Sequence, residues 1–217
     1  MINRFKTPKG RLVDRIPGQS RLAWAMSDTE DFYDMPGWAC RGGYQGSVLG
    51  FYDFETAEIY EPFEKRRNVV YGRPAFYDGF YYFLQGDFNK GVITLYKYLP
   101  KEAPEPVTVL KAGETDLYNL QLMGEKIRIT SQGDLFRCYY PEQIEFCLKP
   151  NETVSLVTDE HVYVEAWFEE GWDVVNNCAA DDYRYYNKVI IKDHSGNTIS
   201  EELGILYQAE DGTWWIA

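Results

Sequence analysis

The sequence predicts an all-β fold, on three observations. Short apolar-aromatic runs of four to eight residues recur along the whole chain, separated by tight turn signals such as Asp78-Gly79, Gly124-Glu125 and Asp211-Gly212. No stretch carries the 3.6-residue apolar period of a long helix. Aromatic residues are abundant, with 18 Tyr, 12 Phe and 6 Trp. Tyr and Trp favour strands and half-buried sheet surfaces, so this excess is the expected filling of sheet-on-sheet packing.

The elements follow in order. RLAWAM (21–26), WACRGGY (38–44), SVLGFYDF (47–54) and EIYEPF (58–63) read as four strands. The intervening SDTEDFYDMPG (27–37) accommodates one helical turn, with Ser27 or Asp28 as its cap. Four more strands follow. Residues 74–77 turn at Asp-Gly into 80–85, GDFNKG leads to 92–98, and a Pro-rich connection leads to 107–110. The next set is 118–123, 127–131, 135–140 and 144–148, its last turn at Pro141-Glu142 placing Cys138 opposite Glu145. Then 155–157 turns at Asp159-Glu160 into 162–168, a long loop over 169–182 leads to 183–192, and HSGN returns the chain into 198–200.

Tyr52, Tyr96 and Tyr139 occupy the third-strand position of successive sets, spaced by 44 and 43 residues. A period of 40–50 residues with four short strands per unit resembles the β-propeller repeat proteins, in architecture and over the whole chain. The WD and kelch signatures of that class are absent. The resemblance implies a single small domain of five blades, at about 21–66, 71–113, 117–150, 153–202, and 204–217 joined to 1–16. In the last blade the tail GILYQAEDGTWWIA supplies two strands and the head INRFKTPKGRLVDRI the other two, closing the ring and hiding sheet edges. The alternative is an irregular β-sandwich or barrel.

Composition limits the function. The chain has 217 residues and a net charge of −12, with no basic run of five. Nucleic acid and anionic membranes are therefore poor partners. No apolar run approaches the ~20 residues of a membrane span. The basic start lacks the apolar core of a secretory signal, so the expectation is a cytoplasmic protein. The cysteines at 40, 138, 147 and 178 form no CxxC pair, and His161 and His194 lie outside zinc spacing. Neither a metal site nor a cofactor is expected, and the thiols read as free. Phosphate-loop and G-x-S-x-G motifs are missing.

What remains is a neutral or cationic ligand: a small molecule, a carbohydrate or a protein segment. The long 169–182 loop is the place where a tight scaffold would carry it. Trp172 offers an aromatic platform and Glu169, Glu170 and Asp173 offer carboxylates, with Asp87 and Phe88 on the corresponding loop of another repeat. The leading expectation is a non-enzymatic binding module. The alternative is a glycoside-acting hydrolase, since such enzymes need two carboxylates about 5–10 Å apart, and Asp87, Asp134, Glu165 and Glu169 are the candidates by position. Glu165 sits mid-strand between Tyr163 and Trp167, with Arg184 the expected partner. The acidic segment Asp28, Glu30, Asp31 and Asp34 reads as a solvated loop or a helix cap.

Overall fold

A computed structural model describes residues 2–217. It is all-β, with antiparallel sheets following one another along the chain. The first sheet runs β1 (Asp14–Arg15), β2 (Leu22–Met26), β3 (Leu49–Asp53), β4 (Glu58–Tyr60). In the second, β5 (Val69–Tyr71) and β6 (Ala75–Tyr77) share one edge of β7 (Phe80–Asp87), which pairs β8 (Val92–Tyr98), followed by β9 (Glu105–Lys111). The third is β10 (Gln121–Met123), β11 (Arg128–Gln132), β12 (Leu135–Tyr140), β13 (Ile144–Cys147). The fourth is β14 (Glu152–Val157), β15 (Val162–Asp173), β16 (Cys178–Lys192), β17 (Thr198–Leu203). A last hairpin pairs β18 (Leu206–Gln208) with β19 (Trp214–Ile216). No helix is long and apolar enough to cross a membrane among the described residues.

Tyr52, Tyr96 and Tyr139 fall on β3, β8 and β12, the third strand of each of the first three sheets, as the spacing predicts. The strand sets differ from expectation in five places, the first being β5 (Val69–Tyr71), which no expected strand covers. Residues 38–44 are not a strand: Met35–Ala39 is a short α-helix, α1, capped by Asp34 rather than Ser27 or Asp28. Pro36 in its first turn fixes a helical φ, and Gly42 and Gly43, at φ +88° and +95°, end the segment. The 169–182 segment is not a loop. β15 and β16 continue through it as a paired arm closed by a turn at residues 174–177. Cys138 faces Ile144, and Arg137 faces Glu145, because the β12–β13 register is shifted by one. Finally, the two ends do not supply the four strands of one sheet. Asp14–Arg15 pair with β2, residues 2–13 form no strand, and β18–β19 pair with each other. The head is drawn to the first sheet instead: Phe5 packs edge-on to Tyr52, Lys6 N donates to Ala57 O at 2.9 Å, and Lys6 Nζ pairs with Glu58 at 2.7 Å.

Two compact units divide the chain. One holds the residues up to Leu122 with Glu210–Gly212, the other Met123–Ala209 with Thr213–Ala217. The core of the first comes from the inward positions of β2, β3, β5, β7 and β8, including Leu22, Trp24, Phe51, Tyr71 and Phe83. That of the second comes from β12 to β16, including Phe136, Phe146, Val154, Val164 and Ile190. β12, β13 and the first half of β15 bury alternate residues, whereas β2, β3, β5 and β11 are buried at nearly every position, the mark of strands covered on both faces.

Candidate functional site

A cleft of about 660 Å³ opens in the first unit. That volume lies in the range of small-molecule sites. Its floor includes Trp24 and Tyr71, both core residues, and its rim carries Asp14, Asp28, Glu30 and Asp31 together with Arg11 and Arg73. The segment after β2 follows this rim because it is tied at both ends. Ser27 exchanges hydrogen bonds with Val48, N to O at 3.0 Å and Oγ from Val48 N at 3.0 Å. Phe32, almost fully buried, then plugs against Gly86, where a Cβ would come within 3.1 Å of its ring and 2.8 Å of Phe88. Inside the segment, Asp31 accepts from Tyr33 N, Asp34 accepts from Asp31 N, and Glu30 accepts from Trp38 Nε1 at 2.5 Å. The acidic stretch is the loop and helix cap expected of it, with Asp31 and Asp34 exposed and Asp34 at the N-cap of α1, and its internal hydrogen bonds order it along the cleft.

Asp28 is the distinctive member. Its Oδ1 is buried without a hydrogen-bond partner, and so are the hydroxyls of Tyr44 and Ser47. The Tyr44 hydroxyl lies beside both Asp28 and Ser47. Burial, and then the neighbouring Asp28 carboxylate, push the Tyr44 phenol well above its ordinary value. Gly46 makes the approach of Tyr44 and Ser47 feasible: at φ +89° its α-carbon lies so close to the Arg66 carbonyl that a side chain would collide with it. The Tyr44 and Ser47 hydroxyls can donate as well as accept, so the donors nearest to the Asp28 carboxylate are on the protein itself. The charge balance of the rim is also uneven. Arg11 is engaged by Glu61 at 2.9 Å, leaving Arg73 against four carboxylates.

The residues expected to carry function from sequence are distributed as follows. Asp87 closes the β7–β8 turn, accepting from Asn89 N at 3.2 Å and pairing with Arg66 and Lys90 at 3.4 and 3.7 Å; Phe88 leans on Gly86. Asp134 is exposed in the β11–β12 turn, its carbonyl accepting from Leu148 N at 2.9 Å. Glu165 is held by the Ser155 hydroxyl and by Leu206 N, the latter at 2.9 Å. Arg184 is not its partner: the register puts Val189 opposite Glu165 and Arg184 opposite Glu170, to which it bonds at 2.6 Å. Glu169 accepts from the Tyr183 hydroxyl at 2.8 Å. Glu165 and Glu169 are four residues apart on one strand, about 13 Å at a rise of ~3.3 Å per residue, beyond the spacing of a carboxylate pair that works on glycosides.

The arm does bring Glu169, Glu170, Trp172 and Asp173 together on one hairpin. Asp173 spends its carboxylate on the tip turn, accepting from Val175 N, Asn176 N and Asn176 Nδ2. Those bonds hold its pKa below the ordinary range, and those from Tyr186 and Arg184 do the same for Glu170. Sequence reading placed the acidic and aromatic character of this arm correctly and missed the cleft, because Arg11, Trp24, Asp28 and Tyr71 lie in four separate stretches with no spacing signal between them. No clusters of three or more His, Cys, Asp or Glu suited to a metal ion occur among the described residues. Compared with known proteins, the chain matches no family model, no curated protein and no solved structure.

Proposed function

We propose that this protein is a non-enzymatic binding module on a scaffold of β-propeller type, its five successive sheets standing for five repeats, and that its ligand is a small organic cation held in the cleft of the first unit. One observation carries the reading: four carboxylates, Asp28 among them, around one cleft with an aromatic floor. An ammonium or guanidinium group brings several N–H donors, and the lining carboxylates Asp14, Asp28, Glu30 and Asp31 offer acceptor oxygens. Trp24 and Tyr71 add ring surface, and a cation near a ring face gains about 0.5–2 kcal/mol. The four rim carboxylates favour a cation over the neutral sugar that the aromatic content alone would also suit.

The test is titration of the intact protein with cadaverine, agmatine and choline, followed by calorimetry and by tryptophan fluorescence. At least one of the three is expected to bind. Asp28→Asn is expected to weaken it by about 10- to 100-fold, the worth of one charge-assisted hydrogen bond, with melting temperature as the check on folding. Absence of binding by all three probes, or equal binding by a folded Asp28→Asn variant, overturns the reading.

A further inference from the structure

We infer that one face of the β15–β16 arm docks a basic segment of another protein. Beyond Ala166 the arm leaves the four-stranded sheet. β14 pairs β15 only as far as Ala166, and β17 pairs β16 only from Lys188 onward. From there to its tip it is a two-stranded ribbon whose two faces differ. On one face Phe168 stacks on Tyr186, Lys188 lies over the Phe168 ring at 5.0 Å, and Arg184 bonds Glu170. That face has its own cations. On the other, Trp167 stacks near-parallel with Tyr185, Trp172 meets Tyr183 edge-on, and Glu169 stands among them. Trp167, Trp172 and Tyr185 are 47%, 43% and 58% exposed. Among the described residues no lysine or arginine pairs with Glu169.

The second face therefore has the aromatic and anionic halves of the arrangement its reverse completes internally, and lacks the cation. Asp173, Asp181 and Asp182 near the tip add negative charge, and the only basic residue between 167 and 187 is Arg184, committed to the reverse face. A cationic side chain over an exposed Trp or Tyr gains ring attraction, and the carboxylates steer it there. Tyr, Trp and exposed ring clusters are the usual anchors of protein interfaces. The occupant is a protein segment rather than a single small cation because Trp167, Tyr185, Glu169, Tyr183 and Trp172 follow one another along the ribbon, and a segment gains affinity through several side chains at once. The segment docks by side chains and not as an added strand. The arm's pairing is broken between Glu170 and Trp172, where Gly171 at φ +73° abuts Tyr183, so neither edge is a regular template.

The experiment uses the full chain and a ten-residue peptide of alternating Arg and Ser, with an Arg→Gln version, free arginine and cellotetraose as comparisons. The Arg peptide is expected to bind more tightly than the Gln peptide and free arginine by at least ~10-fold, more weakly as salt rises from ~50 to ~300 mM. Trp167→Ala with Tyr185→Ala is expected to weaken it by about 10-fold or more, and Glu169→Gln by about 3-fold or more. All these sites are exposed, and unchanged melting temperature confirms folding. Equal binding of the Gln peptide, preference for cellotetraose, or full binding by the folded double variant overturns the inference. Asp28→Asn is expected to leave peptide binding intact, which separates this surface from the cleft.

Discussion

Charges buried in this fold come with their partners, and the pair Glu152–Lys192 is the clearest case. Both side chains are buried, their ion pair is 2.7 Å long, and Lys149 backs it from 3.5 Å. Burial alone would raise the Glu152 pKa. The Lys192 hydrogen bond, the Lys149 amide and both ammonium charges outweigh it and hold the carboxyl below its ordinary 4.5. A carboxylate depressed in the folded state contributes stability that is present above its unfolded pKa and lost as pH falls through its folded one. Lys192→Met leaves the carboxylate buried with less compensation and is expected to cost about 3 kcal/mol at pH 7. That deficit is expected to shrink as pH drops toward 4 and below, where the variant's carboxyl is protonated and the wild type is losing its own advantage. Urea titrations of both proteins at pH 7 and pH 4 measure it. A deficit independent of pH would sink the electrostatic account and leave packing as the cause.

At the scale of elements, one hairpin device recurs. Asp53, Asp87 and Asp173 each end a strand, and each turns its Oδ1 back onto amides two or three residues on: Glu55 and Thr56, Asn89, and Val175 and Asn176. Four residues after each aspartate comes a residue in the left-handed region, Ala57 at φ +56°, Gly91 at +68° and Asn177 at +50°. The side-chain turn closes the hairpin and the left-handed residue returns the chain to strand. Gly and Asn adopt that conformation readily, and Ala does not. Ala57→Gly is therefore expected to stabilise the protein by about 1 kcal/mol, read as a rise in melting temperature, whereas Asn177→Gly is expected to change it little. Asp87 and Asp173 were legible in the sequence as acidic loop residues and ligand candidates, whereas Asp53 lay inside the expected strand 47–54. Their turn role was hidden because it depends on φ four residues away.

At the scale of the whole molecule, the head of the chain is held by a set of contacts rather than by a ladder. Phe5 packs on Tyr52 and Phe54, Lys6 bonds Glu58, and Arg11 bonds Glu61. The Lys6 hydrogen bond, then that of Tyr60, draws the Glu58 pKa down to about 2. Residues 2–10 add a clasp to the first sheet, while Ile16, fully buried in the core, belongs to the fold proper. Deleting residues 2–10 is expected to cost about 1–3 kcal/mol, chiefly the Phe5 packing, and to lower the melting temperature by several degrees. An unchanged melting temperature would show the head to be undocked in solution.

The amino-acid sequence alone determined the all-β class, most strand positions and the recurrence of four-stranded sheets. Alternation, Asp-Gly turns and tyrosine spacing are local signals, and each strand responds to its own few residues. Tertiary structure decided where the head pairs, that 169–182 extends as an arm, and that the acidic segment beside Phe32 walls a cleft. Those outcomes depend on which distant side chains fill a shared volume. Phe32 is placed by the lack of a side chain at Gly86, and Asp28 meets Tyr44 and Ser47 only once Phe32 and the Gly46 turn are in place. Convergence of that kind is a product of packing, and no periodicity along the chain encodes it.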